Sequence, residues 1–408
     1  MERIRILHLA DLHIGMENYG RLDPATGLNG RVMDFLRRLS EVVDYALENQ
    51  VDLVLFAGDA YKTRDPNSTY RREFARRIKR LADAGIPVVL LVGNHDLPAQ
   101  ERKASSVEIF RTLDVPNVVV GRQDRLYQIT TRRGTPIQVA TVPYPIRQRL
   151  LANEDHKDKT IAELDTLTQQ LVAENIQALA QQVDPTIPAV LTGHFSVSDA
   201  KFGSERSVML GRDVVVFKSD LANPVWDYVA LGHIHRHQEL NGGQHPPIVY
   251  CGSLERIDFG EEKEAKGFII ADVRRGETEW EFQRVAARRF VTIRADVRDE
   301  TDSLAAILEA ISQQDVADAV VRLIIQALPE QEGLLRDADI RRALADSYYV
   351  AGISKEIERA YRQRLEGESP EELTPTDLLA RYLASKGTPP ERSEVLLRYA
   401  EEILQAKP

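Results

Sequence analysis

Five short apolar runs in this chain each lead into a group able to bind a metal ion. The sharpest is Ile86 to Val92, followed by Gly93-Asn94-His95-Asp96. An apolar run of this length closed by glycine reads as a buried strand passing into a loop. Three different groups follow: an amide oxygen that can ligate a hard ion, an imidazole that can carry a proton, and a carboxylate placed to orient that imidazole. Alone, the tetrad is compatible with a turn that merely uses Gly and Asn. Its recurrence is what constrains the fold. Ile4 to Ala10 runs into Asp11-Leu12-His13, and Val51 to Ala57 into Gly58-Asp59. Ile187 to Leu191 precedes Gly193-His194, and Trp226 to Leu231 precedes Gly232-His233-Ile234-His235.

The segments between the first three runs are helical in period. Val32, Phe35, Leu36, Leu39, Val42, Val43, Ala46 and Leu47 fall on one face of Arg31 to Asn49, and Ser68 to Ala84 reads as a helix ended by Gly85. Strands alternating with helices imply parallel pairing through crossovers. In such sheets ligands collect beyond the carboxyl ends of the strands, which is where Asp11, Asp59 and Asn94 fall. Further strands are expected at 118–120, 126–130, 136–142, 248–251, 266–273 and 278–282, with a long amphipathic helix over Thr160 to Val183.

The chain has 408 residues, more than one ordinary core, so two or three domains are expected. Apolar residues at 43% and charged residues at 28% place it among soluble globular proteins. No apolar stretch approaches the roughly 20 residues that span a bilayer. The charged start, MERIRILHLADLH, shows no signal peptide. The single cysteine, Cys251, excludes an internal disulfide and sits in an apolar run as a small buried hydrophobe. A cytoplasmic location fits these features. The net charge of −10 argues against holding nucleic acid by bulk electrostatics alone. It leaves nuclease chemistry open, because metal ions at a carboxylate site reverse the local sign.

From about Ala286 the texture changes to a small α+β unit, with strands near 290–295, 319–325 and 348–353 and helices near 303–311 and 337–345. It contains no histidine and no evident ligand cluster, which suits a structural or substrate-guiding role. The expected divisions are 1–285, 286–355 and a helical tail, 356–408. In the tail, Thr374-Pro375-Thr376-Asp377 is a helix start. Leu378, Leu379, Tyr382 and Leu383 form one apolar face; Val395, Leu396, Tyr399, Ile403 and Leu404 form another. Such a pair suits a partner helix or packing on the chain's own body.

The strand-end residues are Asp11, His13, Asp59, Asn94, His194, His233 and His235. Two carboxylates, one amide and four imidazoles suit manganese, iron or zinc. Seven donors exceed the needs of one tetrahedral ion, whereas two ions roughly 3.5–4 Å apart and sharing one carboxylate use them all. Asp59 is the best bridge. A lone histidine is more often structural, and His8, His156, His237 and His245 are read that way. The pairs Asp11/His13 and His233/His235 differ, since residues two apart in extended backbone share a face.

DLH, GD, GNHD, GH and GHIH in this order resemble the calcineurin-like metallophosphoesterase superfamily. The strings Ser204-Glu205-Arg206-Ser207, Tyr228 to His235, and Gly252 to Glu262 (GSLERIDFGEE) resemble, more narrowly, its SbcD family of nuclease subunits. The likeness is strong over residues 1 to about 285, looser through the α+β unit and weakest over the tail. It implies an α/β fold: a sandwich of two mixed β-sheets flanked by helices, then a small α+β capping domain and C-terminal helices. It implies one metal ion on Asp11, His13, Asp59 and His235, and another on Asp59, Asn94, His194 and His233. Manganese is the implied metal, with Fe or Zn possible. His95 is implied as the catalytic proton donor to the leaving 3′ oxygen, with Asp96 orienting it. Also implied are DNA as substrate, an SbcC-like coiled-coil ATPase as partner, and a homodimer within a heterotetramer. The activity implied is 3′–5′ trimming of duplex ends and endonuclease action on single-stranded or hairpin DNA during DNA double-strand-break repair.

Lys62 departs from the pattern, since relatives often carry His, Asp or Asn there; it either contacts a substrate phosphate or is solvated. Lys62, Arg206 and Arg256 are the candidate substrate-binding residues. The long loop from Met16 to Gly30 is placed to shape the mouth of the site. The basic run from Arg71 to Arg80 reads as a solvated helix face or as a DNA track. Two other functions compete with the nuclease: a stand-alone phosphodiesterase or phosphatase for small phosphoesters, and a non-catalytic interaction module. The capping unit and tail argue against the first, and the full donor set with His95 argues against the second.

Overall fold

The computed structural model describes residues 2–98, 103–146, 159–203, 213–358 and 374–405. Its largest part is two six-stranded sheets lying face to face. In one, β1 (Ile4–Leu9), β2 (Leu53–Phe56), β3 (Val88–Leu91) and Val118–Gly121 run parallel, and Gly267–Arg274 and Glu277–Arg284 close the β1 side antiparallel. In the other, Pro136–Val142, Ala189–His194, Tyr228–Gly232 and Ile248–Tyr250 run parallel, with antiparallel edges at Arg125–Thr130 and Gln238–Glu239.

The period-2 alternation of the strands explains the layering. Ile4, Ile6, Leu53, Leu55 and Val89 meet Val139, Val190, Tyr228 and Ala230 between the sheets. Leu7, Leu9, Val54, Phe56, Val88 and Leu90 face the other way, onto α1 (Gly30–Glu48) and α2 (Ser68–Asp83). Both helices begin at an asparagine in extended backbone whose side chain accepts a first-turn N–H, Asn29 from Arg31 and Asn67 from Tyr70. The helix Ile161–Ala180 covers the outer face of the second sheet. The basic residues of α2 are paired, Arg71 with Asp65, Arg76 and Arg77 with Glu73, Lys79 with Asp83 and Arg80 with Asp44. Phe74, Ile78 and Leu81 are its buried face, and Arg77 bridges to Leu36 O and Ser40 on α1. Cys251 is buried between the sheets.

A separate three-stranded parallel sheet, Phe290–Asp296, Val320–Ala327 and Tyr349–Ile357, has its own core with the helices Ser303–Ser312 and Asp337–Ala343. It is tied to the sandwich by Arg288. That guanidinium lies 2.6 and 2.7 Å from the two Asp34 oxygens on α1 and 3.6 Å from the Tyr348 ring centre. Tyr19, from the long loop, sits edge-on to Phe259, Phe290 and Tyr349 at the same junction. Two further helices, Pro375–Ser385 and Pro390–Gln405, follow, the first with a Thr374/Asp377 capping box. Among the described residues no helix is long and apolar enough to cross a membrane.

His8 is a structural histidine of the inter-sheet layer. Its Nε2 lies 3.2 Å from the Leu231 carbonyl and its Nδ1 3.0 Å from the Tyr228 hydroxyl. Burial pulls its pKa down to about 3, against a smaller opposing pull from the Leu231 carbonyl. Between about 6.5 and 3 the unfolded chain therefore binds a proton that the folded chain refuses, and stability falls as pH falls through that window. At about 1.4 kcal/mol per unit, the cost reaches about 3 kcal/mol by pH 4. Denaturant melts of wild type and His8→Gln between pH 7.5 and 4 check this. The wild-type curve should fall more steeply by about one proton, and parallel curves would refute it.

Candidate dinuclear metal centre

The carboxyl ends of both sheets meet at one place, and the motif residues lie there. Beyond β1 and β2 the chain keeps pairing, with Asp11 N donating to Gly58 O and Leu12 and His13 N to Asp59 O. This carries Asp11, His13 and Asp59 outward side by side. Asn94 follows β3, His194 ends its strand, and His233 begins just after Gly232. Four of the motif residues have left-handed backbone: Asp11 at φ 52°, His13 at 47°, Asp59 at 59° and His233 at 93°. Such conformations cost of order 1–3 kcal/mol each and collect at functional sites.

The glycines of the motifs are there for close approach. A Cβ on Gly93 would lie 2.1 Å from Asp59 Oδ1, and one on Gly232 would lie 2.1 Å from Ala57 O. The sequence suggested only a turn at Gly93; close approach of the β2 and β3 loops there, and of the two sheet ends at Gly232, is the stronger demand.

Asp11, His13 and His235 offer donor atoms within 4.8 Å of one another, as do Asp11, Asp59 and His194. Asn94 Oδ1 lies 3.0 Å from both His194 Nε2 and His233 Nδ1, joining one sheet to the other. Asp11 accepts the His233 backbone N–H at 3.0 Å on each oxygen. Asp59 Oδ2 faces His194 Nε2 at 3.3 Å and His13 Nε2 at 3.7 Å, while its Oδ1 accepts the His95 backbone N–H at 2.8 Å.

The outer nitrogens of three imidazoles are each committed to an acceptor. His194 Nδ1 lies 2.7 Å from Ala57 O, His233 Nε2 2.9 Å from Asp213 Oδ2, and His235 Nδ1 2.8 Å from Glu261 Oε1. In the neutral, metal-binding form each therefore points a lone pair inward. For His194 and His233 those lone pairs meet the oxygens Asn94 Oδ1 and Asp59 Oδ2, and His235 Nε2 faces His13 Nε2 at 3.0 Å. Buried acceptors that converge on acceptors fit a cation, and carboxylate, amide and imidazole donors suit borderline divalent ions. His233 and His235, two residues apart, offer opposite nitrogens, Nδ1 and Nε2, which lets them serve different ions.

The electrostatics agree. Burial opposes ionisation of Asp59, yet His194, His95 and His13 outweigh it and hold the carboxyl well below the usual range. Burial holds His13 well below its ordinary value, so it is a neutral donor. For His194 burial is outweighed by Asp59, Asp11 and the Ala57 carbonyl, and its pKa is pushed up to about 9. A proton and a metal ion compete for that lone pair, so metal uptake releases a proton.

His95 is half-buried, its ring 4.8 Å from that of His13. Its Nδ1 lies 2.7 Å from the Lys62 carbonyl. This corrects the expectation for Asp96, which does not orient His95. Both Asp96 oxygens accept backbone N–H groups instead, Asp59 at 2.9 Å, Gly93 at 3.1 Å and Ala60 at 3.1 Å. Burial and then Asp59 push its pKa up to about 7, while those N–H groups pull it down. Asp96 is the clip that joins the β2 and β3 loops. Arg256 is a second correction. Its guanidinium donates to the carbonyls of Glu261, Glu264, Ala287 and Arg288, so it is spent on main chain rather than turned to substrate. Arg206 lies outside the described residues, as does His156. His237 stacks on Phe282 at 4.2 Å with Nδ1 on the Tyr250 carbonyl, a structural placement.

Two residues had no signal in the sequence. Asp213 holds His233 and also receives the Ser196 and Tyr144 hydroxyls. Glu261 holds His235. Burial opposes ionisation of both, and their partners outweigh it, leaving both carboxyls below the usual range. Glu261 lies inside the Gly252 to Glu262 string, but nothing in spacing points an acid at an imidazole 26 residues back.

The fold and this donor set define a metallophosphoesterase. The family model for calcineurin-like phosphoesterases matches residues 4–237, more than half of the chain, and the chain belongs to that family. Among curated relatives it is 28% identical over 285 residues to the SbcD component of the SbcCD nuclease of Escherichia coli K12, covering 68% of this chain and 66% of that protein. It is 29% identical over 299 residues to the corresponding SbcD component of Rhodobacter capsulatus, covering 67% of each. It is 26% identical over 303 residues to the DNA double-strand break repair protein Mre11 of Thermoplasma acidophilum, covering 73% of this chain and 68% of that one. The chain thus spans about two thirds of the length of the curated relatives it matches.

Proposed function

We propose that this chain is the nuclease subunit of an SbcC–SbcD-type complex, a manganese-dependent phosphodiesterase acting in the cytoplasm on DNA ends and hairpins during double-strand-break repair. The observation that carries it is a full two-ion donor set with an imidazole, His95, anchored beside it. A binding module has no use for that imidazole. The relatives named above are nuclease and DNA-repair proteins, which favours DNA over a small ester.

Asp11, His13, Asp59 and His235 would hold one ion and Asp59, Asn94, His194 and His233 the other; bound, the pair supplies Lewis acidity at the phosphoryl group and lowers the pKa of water. His95 donates Nδ1–H to the Lys62 carbonyl, which fixes the ring; in its imidazolium form it then gives the Nε2 proton to the leaving 3′ oxygen and is left neutral. The His95 backbone N–H on Asp59 Oδ1 locks that ring to the shared carboxylate. Lys62 is half-buried at the same loop, and its ammonium suits a phosphate oxygen. The tail helices pack on each other and leave Tyr382, Val395, Leu396 and Tyr399 exposed, a face suited to an ATPase coiled coil.

The test is cleavage of labelled single-stranded and hairpin DNA by the purified chain with Mn2+, beside a small phosphodiester, and of duplex ends with the ATPase partner added. Manganese-dependent DNA cleavage is expected. Fast turnover of the small ester with no DNA cleavage, with or without the partner, would overturn the proposal in favour of a small-ester phosphodiesterase.

A further inference from the structure

Glu261 connects the metal centre to the three-stranded unit. Its Oε1 lies 2.8 Å from His235 Nδ1. Its Oε2 lies 2.8 Å from the ammonium of Lys266 and accepts the Ile257 N–H at 3.1 Å. Lys266 is fully buried and grips the other end of the same ligand, donating to the His235 carbonyl at 3.2 Å as well as to Ser253 Oγ at 2.9 Å. A buried lysine held by Glu261 and Glu264 is too costly to leave unpaired, so this cluster is rigid.

The next residue reaches the other way. Glu262 accepts the Thr292 backbone N–H at 2.9 Å and the Thr292 hydroxyl at 2.5 Å. Thr292 lies on the first strand of the three-stranded sheet, and its hydroxyl also receives Arg322 Nε from the second strand at 2.8 Å. Arg256 closes a second link. It holds the Glu261 carbonyl at 3.2 Å and, on the segment entering that sheet, the Arg288 carbonyl at 2.9 Å. The two acidic neighbours thus face a metal ligand and the three-stranded unit.

We propose that Glu261 is a positioning residue for His235, held in place by the three-stranded unit through Glu262 and Arg256, so that seating of that unit sets the affinity of the ion on the His235 side. This rests on the two-ion reading above. The companion pair, Asp213 with His233, has no such tie among the described residues.

The experiment is calorimetric titration of the full chain with Mn2+, with electron paramagnetic resonance of the loaded protein, for wild type, Glu261→Gln and Glu262→Ala. Loss of a partner behind a metal-bound imidazole typically weakens the ion about 10–100-fold. Glu261→Gln should weaken one ion by that factor and leave the other, and the exchange-coupled spectrum should give way to that of an isolated Mn2+. Glu262→Ala, remote from the donor atoms, should weaken the same ion by a smaller factor. A merely structural role would move both ions together. Two ions bound by both variants as by wild type would overturn this inference alone, as would a Glu262→Ala chain with unaltered affinity. A folded wild-type chain that takes up no Mn2+ would overturn the two-ion reading and this inference with it.

Discussion

Replacing His95 by alanine is expected to slow DNA cleavage by roughly 10²–10⁴-fold, the usual contribution of a positioned general acid, while Mn2+ uptake stays close to that of wild type. The ring's Nδ1 is committed to the Lys62 carbonyl, and the backbone N–H that supports Asp59 survives the substitution. The truncation therefore removes a proton donor and leaves the donor set standing. The neighbourhood makes this a sharp test, because His95 also lies within 4.8 Å of donor atoms of His13 and Asp59 and could itself be a ligand. Calorimetry separates the roles. A parallel loss of rate and Mn2+ affinity would make His95 a ligand and sink the acid assignment. An aryl phosphodiester, whose leaving group needs no proton, should be cleaved by the variant with a far smaller loss.

Asp59→Asn is expected to remove both ions at once and to cost more than the roughly 100-fold seen when residues behind a ligand are changed. Asp59 is the carboxylate that faces donors from both halves of the centre, His194 at 3.3 Å and His13 at 3.7 Å. The amide keeps an oxygen for the His95 N–H but carries no charge to balance two cations or to compete for them. Thermal melts give a readout independent of turnover. A ligand at 100 times its Kd adds about 2.7 kcal/mol to stability, so saturating Mn2+ should raise the wild-type midpoint and leave that of Asp59→Asn where it was. A variant still stabilised by Mn2+ to the wild-type extent would mean that Asp59 is not the shared ligand.

The corrected roles of Asp96 and Arg256 have one origin. Asp96 is adjacent to His95 in sequence, so proximity suggested that it orients the ring. In the fold the tight turn after β3 aims Asp96 back at the β2 loop, where three backbone donors, including Tyr61 N at 3.4 Å, await an acceptor, and Gly93 N of its own loop adds a fourth. Arg256 carries a charge in a resembling string and so suggested a substrate contact. Burial of the loop end left main-chain carbonyls that needed a donor, and the guanidinium supplies it. Such needs are set by which backbone groups the sheets leave unpaired, a property of the assembled molecule.

What the sequence determined by itself is everything with a local cause. Near-continuous apolar runs made β1 and β2 strands that bury both faces, and the 3.6-residue period with asparagine caps made α1 and α2. The strand-end motifs put Asp11, Asp59, Asn94 and His233 at carboxyl ends, where a parallel sheet must gather them. Tertiary structure alone decided which nitrogen each histidine turns inward, because that depends on Ala57, Asp213 and Glu261 arriving from elsewhere in the chain. It also decided that Glu262 and Arg288 would fasten the three-stranded unit to the sandwich. Periodicity and turn chemistry act over a few residues, whereas these contacts join residues 20 to 254 positions apart, and only packing brings them together.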